Sequence, residues 1–204
     1  MFNPLAIDNL AESIASRILG SDPTSLGALP RFKGPGLYAI YYTGDHMPFS
    51  AYTDLAAVNS HDQLLYPIYV GKATLSGQRK GESIVTPETS TDLQRRLGAH
   101  GRSISAAQNL SIDDFYARWI VVDPFWIGLG ESILIARFSP LWNQLVDGFG
   151  NNAPGAGREQ GKRSRWDTLH PGRSAAARVT ERVETAEQIE QDVREFLRSR
   201  QVGQ

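Results

Sequence analysis

The sequence contains no cysteine, which excludes disulfide bonds, thiolate metal sites and cysteine nucleophiles. It also lacks an apolar run long enough to span a membrane and a basic-then-apolar N-terminal signal, so we expect a cytoplasmic protein without a membrane partner. Its charges nearly cancel, because 21 lysines and arginines oppose 22 aspartates and glutamates in 204 residues. Net charge alone therefore does not indicate a polyanionic ligand.

The basic residues are nevertheless unevenly distributed along the chain. Residues 43–68 contain three acids and no lysine or arginine, whereas residues 158–182 contain seven basic residues and three acids. A second basic group consists of Lys72, Arg79, Lys80, Arg95, Arg96 and Arg102. Such stripes on a nearly neutral protein favour a polyanion bound at one face, and a solvated basic surface explains them equally well.

Hydrophobic periodicity predicts three strands and four helices within a single domain, residues 1–204. The predicted strands are 37–42, 66–71 and 113–123, and the predicted helices are 3–20, 89–103, 125–139 and about 185–200. Alternation in the first strand places Tyr38, Ile40 and Tyr42 on one face. The chain is therefore expected to mix helices with a small sheet, in an α+β arrangement.

Two further segments show neither the helical nor the strand periodicity of apolar residues. Residues 43–65 are predicted to form a long polar connection between the first two strands. Residues of about 150–178 are rich in glycine and basic side chains and poor in apolar ones, so we expect an irregular basic arm over the surface.

Several polar side chains could carry chemistry, and each has an ordinary alternative. Glu131 lies in an otherwise apolar helix, where it is either an exposed residue or a ligand for Mg²⁺, which one carboxylate can hold together with water and phosphate. Arg96 and His100 lie four residues apart on one helix face, as a solvated pair or as a phosphate clamp with an imidazole nearby. Lys72 and Asn143 could equally be a surface lysine and a turn cap.

The order of these residues resembles the GIY-YIG nuclease superfamily. "GLY" at 36–38 and "YVG" at 69–71 match its two triplets with one aliphatic change in each, and Arg96, Glu131 and Asn143 follow in the family's order. This resemblance covers a catalytic core of about 34–145. It departs from the superfamily in one respect, because residues 39–68 separate the triplets where the superfamily has a short turn; a longer loop costs little stability.

One branch of the superfamily resembles the chain more closely. The R-x-x-x-H of Arg96 and His100, the PLWN of 140–143 and the basic tail of 154–173 resemble the type II restriction endonucleases of the Eco29kI type. The resemblance implies a small central antiparallel sheet of about three strands flanked by helices, a homodimer, and Mg²⁺-dependent cleavage of double-stranded DNA at a GC-rich palindrome such as CCGCGG. Mn²⁺ is expected to substitute for Mg²⁺, and a DNA methyltransferase is the expected genetic partner.

Two alternatives remain at this point. One is a GIY-YIG nuclease of the DNA repair or homing type, which would normally carry further DNA-binding domains. The other is a DNA-binding module without catalysis, which would not require Glu131.

The resemblance also implies a catalytic site. Its expected members are Tyr38, Tyr69, Lys72, Arg96, His100, Glu131 and Asn143. Tyr38 and Tyr69 should point into one shallow site and not into the core, with Tyr38 as general base. Its pKa of about 10 should be lowered by nearby cations, namely Lys72, the metal and His100. Glu131 should be the sole protein ligand of the metal.

Tyr69 should position the phosphate or the attacking water, Arg96 should neutralise a phosphoryl oxygen, and Asn143 should brace the site. Sequence recognition should come from the basic arm, because arginine reads guanine in the major groove with two hydrogen bonds. The candidates, not divided into base and phosphate contacts, are Arg158, Lys162, Arg163, Arg165, His170 and Arg173.

Overall fold

The structure is a computed structural model that describes residues 7–60, 63–75, 89–150 and 161–201. Its helices are α1 (Ile7–Leu19), α2 (Thr53–Val58), α3 (Asp92–Ala106), α4 (Pro124–Phe138), α5 (Leu141–Gln144), α6 (Arg165–Leu169) and α7 (Ala186–Gln201). Its strands are β1 (Thr24–Ser25), β2 (Gly36–Tyr42), β3 (Asn59–Ser60), β4 (Gln63–Leu64), β5 (Tyr69–Ala73) and β6 (Phe115–Val121). Within these described ranges, no helix has both the length and the apolar character needed to cross a bilayer.

The main sheet is antiparallel and has the strand order β1-β6-β2-β5. The predicted α+β fold with a small antiparallel sheet is confirmed, and the structure adds the two-residue strand β1 and a separate β3–β4 pair. β2 lies in the interior of the sheet and all seven of its residues are buried. As alternation predicted, Tyr38, Ile40 and Tyr42 pack into one core cluster, and Leu37, Ala39 and Tyr41 pack into another.

Helices cover both faces of the sheet. Apolar residues of α1 and α4 pack on the Leu37 face, and those of α3, α5, α6 and α7 pack on the Tyr38 face. The predicted end of α4 before Pro140 is confirmed, because Ser139 adopts a left-handed conformation (φ 39°) after the last helical residue. The predicted capping box of α7 is also present, since Thr185 and Gln188 exchange backbone-to-side-chain hydrogen bonds of 2.9 and 3.3 Å.

Residues 43–65 are not only a polar connection, and that prediction is wrong in part. They contain a 3-10 turn at residues 50–52, helix α2 and strands β3 and β4, and they bury Tyr52 and Leu55 in the core. Tyr52 packs against Trp142 and Phe49, so the apolar side of this insertion extends the core under the Tyr38 face.

The prediction of an irregular arm with few apolar anchors is wrong for residues 161–178. This stretch forms α6 and a 3-10 turn at residues 174–178, and it buries Trp166, Leu169 and His170 in the core. Residues 151–160, the first part of the predicted arm, lie outside the described residues. The described part therefore belongs to the packed body of the protein.

Candidate active site

Tyr38 and Tyr69 lie on adjacent strands and face the same side of the sheet. Tyr38 on β2 pairs in register with Gly71 on β5, and the ring centroids of Tyr38 and Tyr69 are 6.2 Å apart. A Cβ atom at position 71 would overlap the hydroxyl and ring of Tyr38. The glycine of the second triplet is therefore needed because the phenol of the first triplet lies across it.

Helix α3 places Arg96 and His100 beside these phenols. The Tyr38 hydroxyl lies 2.6 Å from Nε2 of His100, and the His100 ring is also in edge contact with Tyr69 at 5.2 Å. Arg96 is close enough to lower the pKa of both tyrosines, against the effect of burial. Its Nη2 donates a hydrogen bond of 2.5 Å to the carbonyl oxygen of Gly150. The four side chains thus form one polar group under the sheet.

Tyr38 is fully buried, so the prediction of a shallow site with Tyr38 outside the core is wrong. The His100 and Tyr69 rings pack against Tyr38, and the chain after α5 in turn covers these two rings. Phe149 stacks on the His100 ring at 4.6 Å and meets the Tyr69 ring edge-on at 5.0 Å, while a Cβ at Gly150 would overlap the Tyr69 hydroxyl. The Tyr38 hydroxyl is covered by rings, but it is hydrogen-bonded and has a guanidinium nearby.

Glu131 and Lys72 form a second group on the other side of edge strand β5. Lys72 is three residues after Tyr69 and therefore projects from the opposite face of the strand, towards α4. Its Nζ lies 2.7 Å from Oε2 of Glu131, and the two side chains remain 42% and 21% exposed. Glu131 still raises the pKa of Tyr38 and Tyr69, so its charge acts across the strand edge.

The donor set at Glu131 fits a hydrated magnesium ion. In the described ranges, no group of three or more His, Cys, Asp or Glu side chains forms a closed metal cage. A single, partly exposed carboxylate suits Mg²⁺, which usually keeps several waters and binds through one or two carboxylates and the substrate phosphate. Lys72 now neutralises that carboxylate.

Asn143, which follows α4 in the short helix α5, is bonded to the strand that carries the second triplet. Its Oδ1 accepts from the Val70 amide and its Nδ2 donates to the Val70 carbonyl, each at 2.8 Å. β5 is the last strand of the sheet, so the Asn143 amide takes the place of a neighbouring strand. These two hydrogen bonds fix β5 between Tyr69 and Lys72, the candidate site residues of this strand.

The chain matches the family model described as the Eco29kI GIY-YIG domain over residues 30–197, which is most of its length. It belongs to this family. The chain is therefore a nuclease of the restriction endonuclease type, a hydrolase whose substrate is DNA. Among curated proteins, a comparison found no match.

Burial dominates the protonation states in this GIY-YIG nuclease. It raises the pKa of Tyr38 well above that of a free phenol, Tyr69 adds to the rise, and Arg96 opposes it. The prediction that nearby cations lower the pKa of Tyr38 is therefore wrong for this state of the protein. Burial, with Arg96 and Arg173 nearby, lowers the pKa of His100 to about 3, so this imidazole is neutral at pH 7.

Three of the predicted DNA contacts are engaged inside the nuclease. His170 is fully buried, with Nε2 2.6 Å from the Tyr52 hydroxyl and Nδ1 3.0 Å from Oδ1 of Asn109. The Arg165 side chain is 12% exposed and is ion-paired with Glu184 and Asp192. These bonds disfavour the predicted DNA contacts of His170 and Arg165, because their polar atoms already bind other parts of the chain.

Arg173 is likewise used within the fold, where it was predicted to contact DNA. Its guanidinium makes two 2.7 Å bonds to the carboxylate of Asp167 and lies 4.4 Å from the centroid of the Trp166 ring. Its Nη2 and Nη1 also reach the carbonyl oxygens of Gly148 and Phe149, at 3.0 and 3.3 Å. Arg173 therefore supports the segment that covers the active site.

The remaining basic candidates differ in accessibility. Lys162 is exposed and Arg163 is half-buried, with Nε 3.3 Å from the Ala176 carbonyl and an ion pair of 3.6 Å to Glu181. Arg158 lies outside the described residues. Sequence reasoning missed Phe149 and Gly150 as site residues, since "GFG" at 148–150 carries no periodic or chemical signal of its own.

Acid should destabilise the nuclease through His100 and His170, the buried histidines among the described residues. His100 and His170 both have a pKa of about 3 in the folded protein, against about 6.5 when unfolded, so the unfolded chain binds more protons between these values. The contribution of these histidines to the free energy of unfolding is fully present above pH 6.5. It falls as the pH drops towards 3, by about 1.4 kcal/mol per pH unit for each histidine. Urea unfolding at pH 7, 6, 5 and 4 measures this slope.

His170→Gln tests the origin of the slope. This variant loses stability at pH 7 but should show a weaker pH dependence, because one of the two proton-binding differences is gone. Equal slopes for the variant and the parent between pH 6 and 4 would exclude His170 as a source of acid sensitivity.

Proposed function

We propose that this family member is a type II restriction endonuclease that hydrolyses double-stranded DNA at a short GC-rich palindrome, similar to CCGCGG. The observation that carries the proposal is the 2.6 Å contact between Tyr38 and His100, placed beside Arg96 and within the field of Glu131. A buried phenol bonded to a neutral imidazole can pass a proton in one step. A DNA-binding module would not need this arrangement.

Tyr38 and His100 act together as the base. We assign neutral His100 the tautomer that is protonated on Nδ1, so that its Nε2 accepts the hydrogen bond of the Tyr38 hydroxyl. When water attacks phosphorus, Tyr38 takes a proton from the water and hands its own proton to His100, so no free phenolate accumulates. The new P–O bond forms as the P–O3′ bond breaks, and the departing 3′-oxygen takes a proton from solvent. Without this transfer the reaction would form a free phenolate, which the burial that raises the pKa of Tyr38 disfavours.

Arg96 binds the scissile phosphate in place of the Gly150 carbonyl oxygen, its partner in the structure. The Gly150 carbonyl oxygen at 2.5 Å occupies a position on the guanidinium that suits a phosphoryl oxygen. A phosphate there replaces a neutral acceptor by an anionic one, and the charge that develops in the transition state strengthens the bond further. The same displacement uncovers the Tyr69 hydroxyl, which then positions the phosphate or the water.

Glu131 is the residue that would hold the magnesium ion, or Mn²⁺ in its place. When bound, Mg²⁺ supplies positive charge to the phosphate and to the departing oxygen. A metal on the Glu131 carboxylate would free the Lys72 ammonium, which could then face the negative phosphate. Asn143 keeps β5 in place, so that Tyr69 and Lys72 hold their positions while their partners change.

Cleavage of a palindrome requires two sites related by a twofold axis, so we propose a homodimer in which each copy is a single endonuclease domain. Lys162, Arg163 and Arg158 are the proposed recognition residues that remain. A cognate DNA methyltransferase encoded nearby would protect the host genome in the cytoplasm.

Digestion of plasmid DNA tests the proposed function. With Mg²⁺, the purified protein should convert a plasmid of known sequence into discrete fragments whose ends map to one GC-rich palindrome. The same plasmid methylated at its GC-rich sites should stay intact. Random nicking would instead indicate a nuclease of the repair type, and DNA binding without any cleavage would indicate a binding module.

A further inference from the structure

Arg173 connects the C-terminal part of the chain to the wall of the active site. Its guanidinium is held by the Asp167 carboxylate and stacked on Trp166, and its remaining donors reach the carbonyl oxygens of Gly148 and Phe149. The side chain is 14% exposed, so these bonds are shielded from water. Two successive carbonyl groups are thereby fixed by one rigid, planar cation.

Phe149, whose backbone Arg173 holds, stacks on the catalytic histidine His100. Its ring lies nearly parallel to the His100 ring, with a centroid distance of 4.6 Å and an angle of 19°. Trp142 and Trp166 pack on Phe149 at 4.4 and 5.4 Å, so the ring cannot turn without disturbing the core. The imidazole of His100 is consequently held in a plane between Phe149 and the two tyrosines.

We propose that Arg173 and Phe149 are positioning residues for His100, which keep its Nε2 on the Tyr38 hydroxyl and keep water away from the imidazole. The proposal rests on the proton hand-off described above. Both residues lie outside the catalytic core of 34–145. The proposal therefore assigns a role in the chemical step to a part of the chain that was predicted to bind DNA. The Arg173–Phe149–His100 contacts form one continuous path from the chain after α6 to the general base.

The groups that face His100 determine what this positioning changes. They are Tyr38 from β2, Tyr69 from β5, Arg96 from α3 itself and Arg173 from the chain after α6. The two cations and the burial all disfavour a charged imidazole. Loss of the Phe149 stack admits water, and loss of Arg173 removes one of the cations, so each change makes His100 easier to protonate from solvent.

Arg173→Met and Phe149→Leu test the proposal in the full-length protein with plasmid DNA and Mg²⁺. Both variants should lower kcat about 10- to 100-fold with little change in KM, because misplaced groups slow the chemical step. The acidic limb of the kcat profile should also move to higher pH. A purely structural role would lower the melting temperature and leave the shape of this profile unchanged.

Arg118→Met is the matched control. Arg118 also bonds a backbone carbonyl (Leu64, 2.9 Å) and stacks on an aromatic ring (Tyr41, 5.4 Å), but it does so on the opposite face of the sheet. Its replacement should lower the melting temperature without moving the pH profile. If Arg173→Met behaves like Arg118→Met in both respects, the positioning role is refuted.

The double variant with His100→Ala separates this proposal from the proposed function. If Arg173 acts through His100, then Arg173→Met should cause no further loss of kcat once His100 is alanine. If the fold-losses of kcat in the two single variants instead multiply in the double variant, the positioning role is refuted. The proton transfer from Tyr38 to His100 would then still stand. Full activity of His100→Ala would refute the hand-off itself, whatever Arg173→Met does.

Discussion

Glu131→Ala should lower the rate of DNA cleavage about 10³-fold at every Mg²⁺ concentration and leave DNA binding intact. Glu131 is the only carboxylate that we assign to the metal, so the variant has no protein ligand to replace it. A bound metal contributes several kcal/mol to the transition state, and a loss of about 4 kcal/mol corresponds to a rate about 10³-fold lower. Single-turnover cleavage and fluorescence anisotropy with a duplex oligonucleotide measure the two quantities separately.

Two further variants separate the effect of losing the metal ligand from the effect of losing an ion pair. Glu190→Gln removes another half-buried helix carboxylate, which is ion-paired with Arg194 at 2.9 Å, and should leave cleavage unchanged. Glu131→Gln keeps the volume of the side chain but not its charge, and Mn²⁺ binding followed by electron paramagnetic resonance should be lost in it. Cleavage by Glu131→Ala that recovers at high Mg²⁺ would show that another group binds the metal.

Local patterns in the sequence predicted the elements that position the site. Alternation in Gly36–Tyr42 predicted which tyrosines share a face, and this succeeds because a fully buried strand still sends successive side chains to two different core clusters. The end of α4 and the cap of α7 were predictable because proline and the Thr185–Gln188 pair act within one turn of helix.

Contacts between distant segments could not be predicted in this way. The basic stretch of 161–178 was assigned to a DNA-contacting surface because its arginines are frequent, yet Arg165 bonds to Glu184 and Asp192, which lie up to 27 residues later. Composition counts charges and does not record which of them are paired in the fold. For the same reason the hydrogen bond between Tyr52 and His170, 118 residues apart, has no signature in either segment.

The sequence provided candidate site residues but did not predict their burial. Chain order indicated Tyr38, Arg96 and Glu131, because a family motif records which residue types recur. The rings of His100 and Tyr69 pack against Tyr38 and are themselves covered by Phe149, which belongs to no motif, and burial raises the pKa that the sequence argument had lowered. This difference changes the mechanism, since a buried phenol needs His100 as its proton acceptor.

Tyr38→Phe should reduce the rate of cleavage by about 10²- to 10⁴-fold, the range that general base catalysis contributes. The substitution removes one oxygen atom and keeps the ring that packs beside Gly71 and Tyr69. It leaves Nε2 of His100 buried without the hydroxyl, which should cost about 1–3 kcal/mol of stability. Single-turnover rates, DNA affinity and melting temperature should be measured on the same preparation. Cleavage at the rate of the parent would remove Tyr38 from the role of base.

The protein contains its own control for this substitution, because Tyr52 and His170 repeat the geometry of Tyr38 and His100. The Tyr52 hydroxyl is also buried and 2.6 Å from Nε2 of a histidine, and it also accepts a 2.8 Å bond from Nε1 of Trp142. Asn109 donates to the Leu169 carbonyl and so presents its oxygen to Nδ1 of His170, which makes Nε2 the acceptor. Tyr52→Phe should therefore destabilise the protein at least as much as Tyr38→Phe and leave the single-turnover rate near that of the parent. Only the Tyr38 pair has Arg96, Tyr69 and the charge of Glu131 beside it, so only its loss should stop the chemistry.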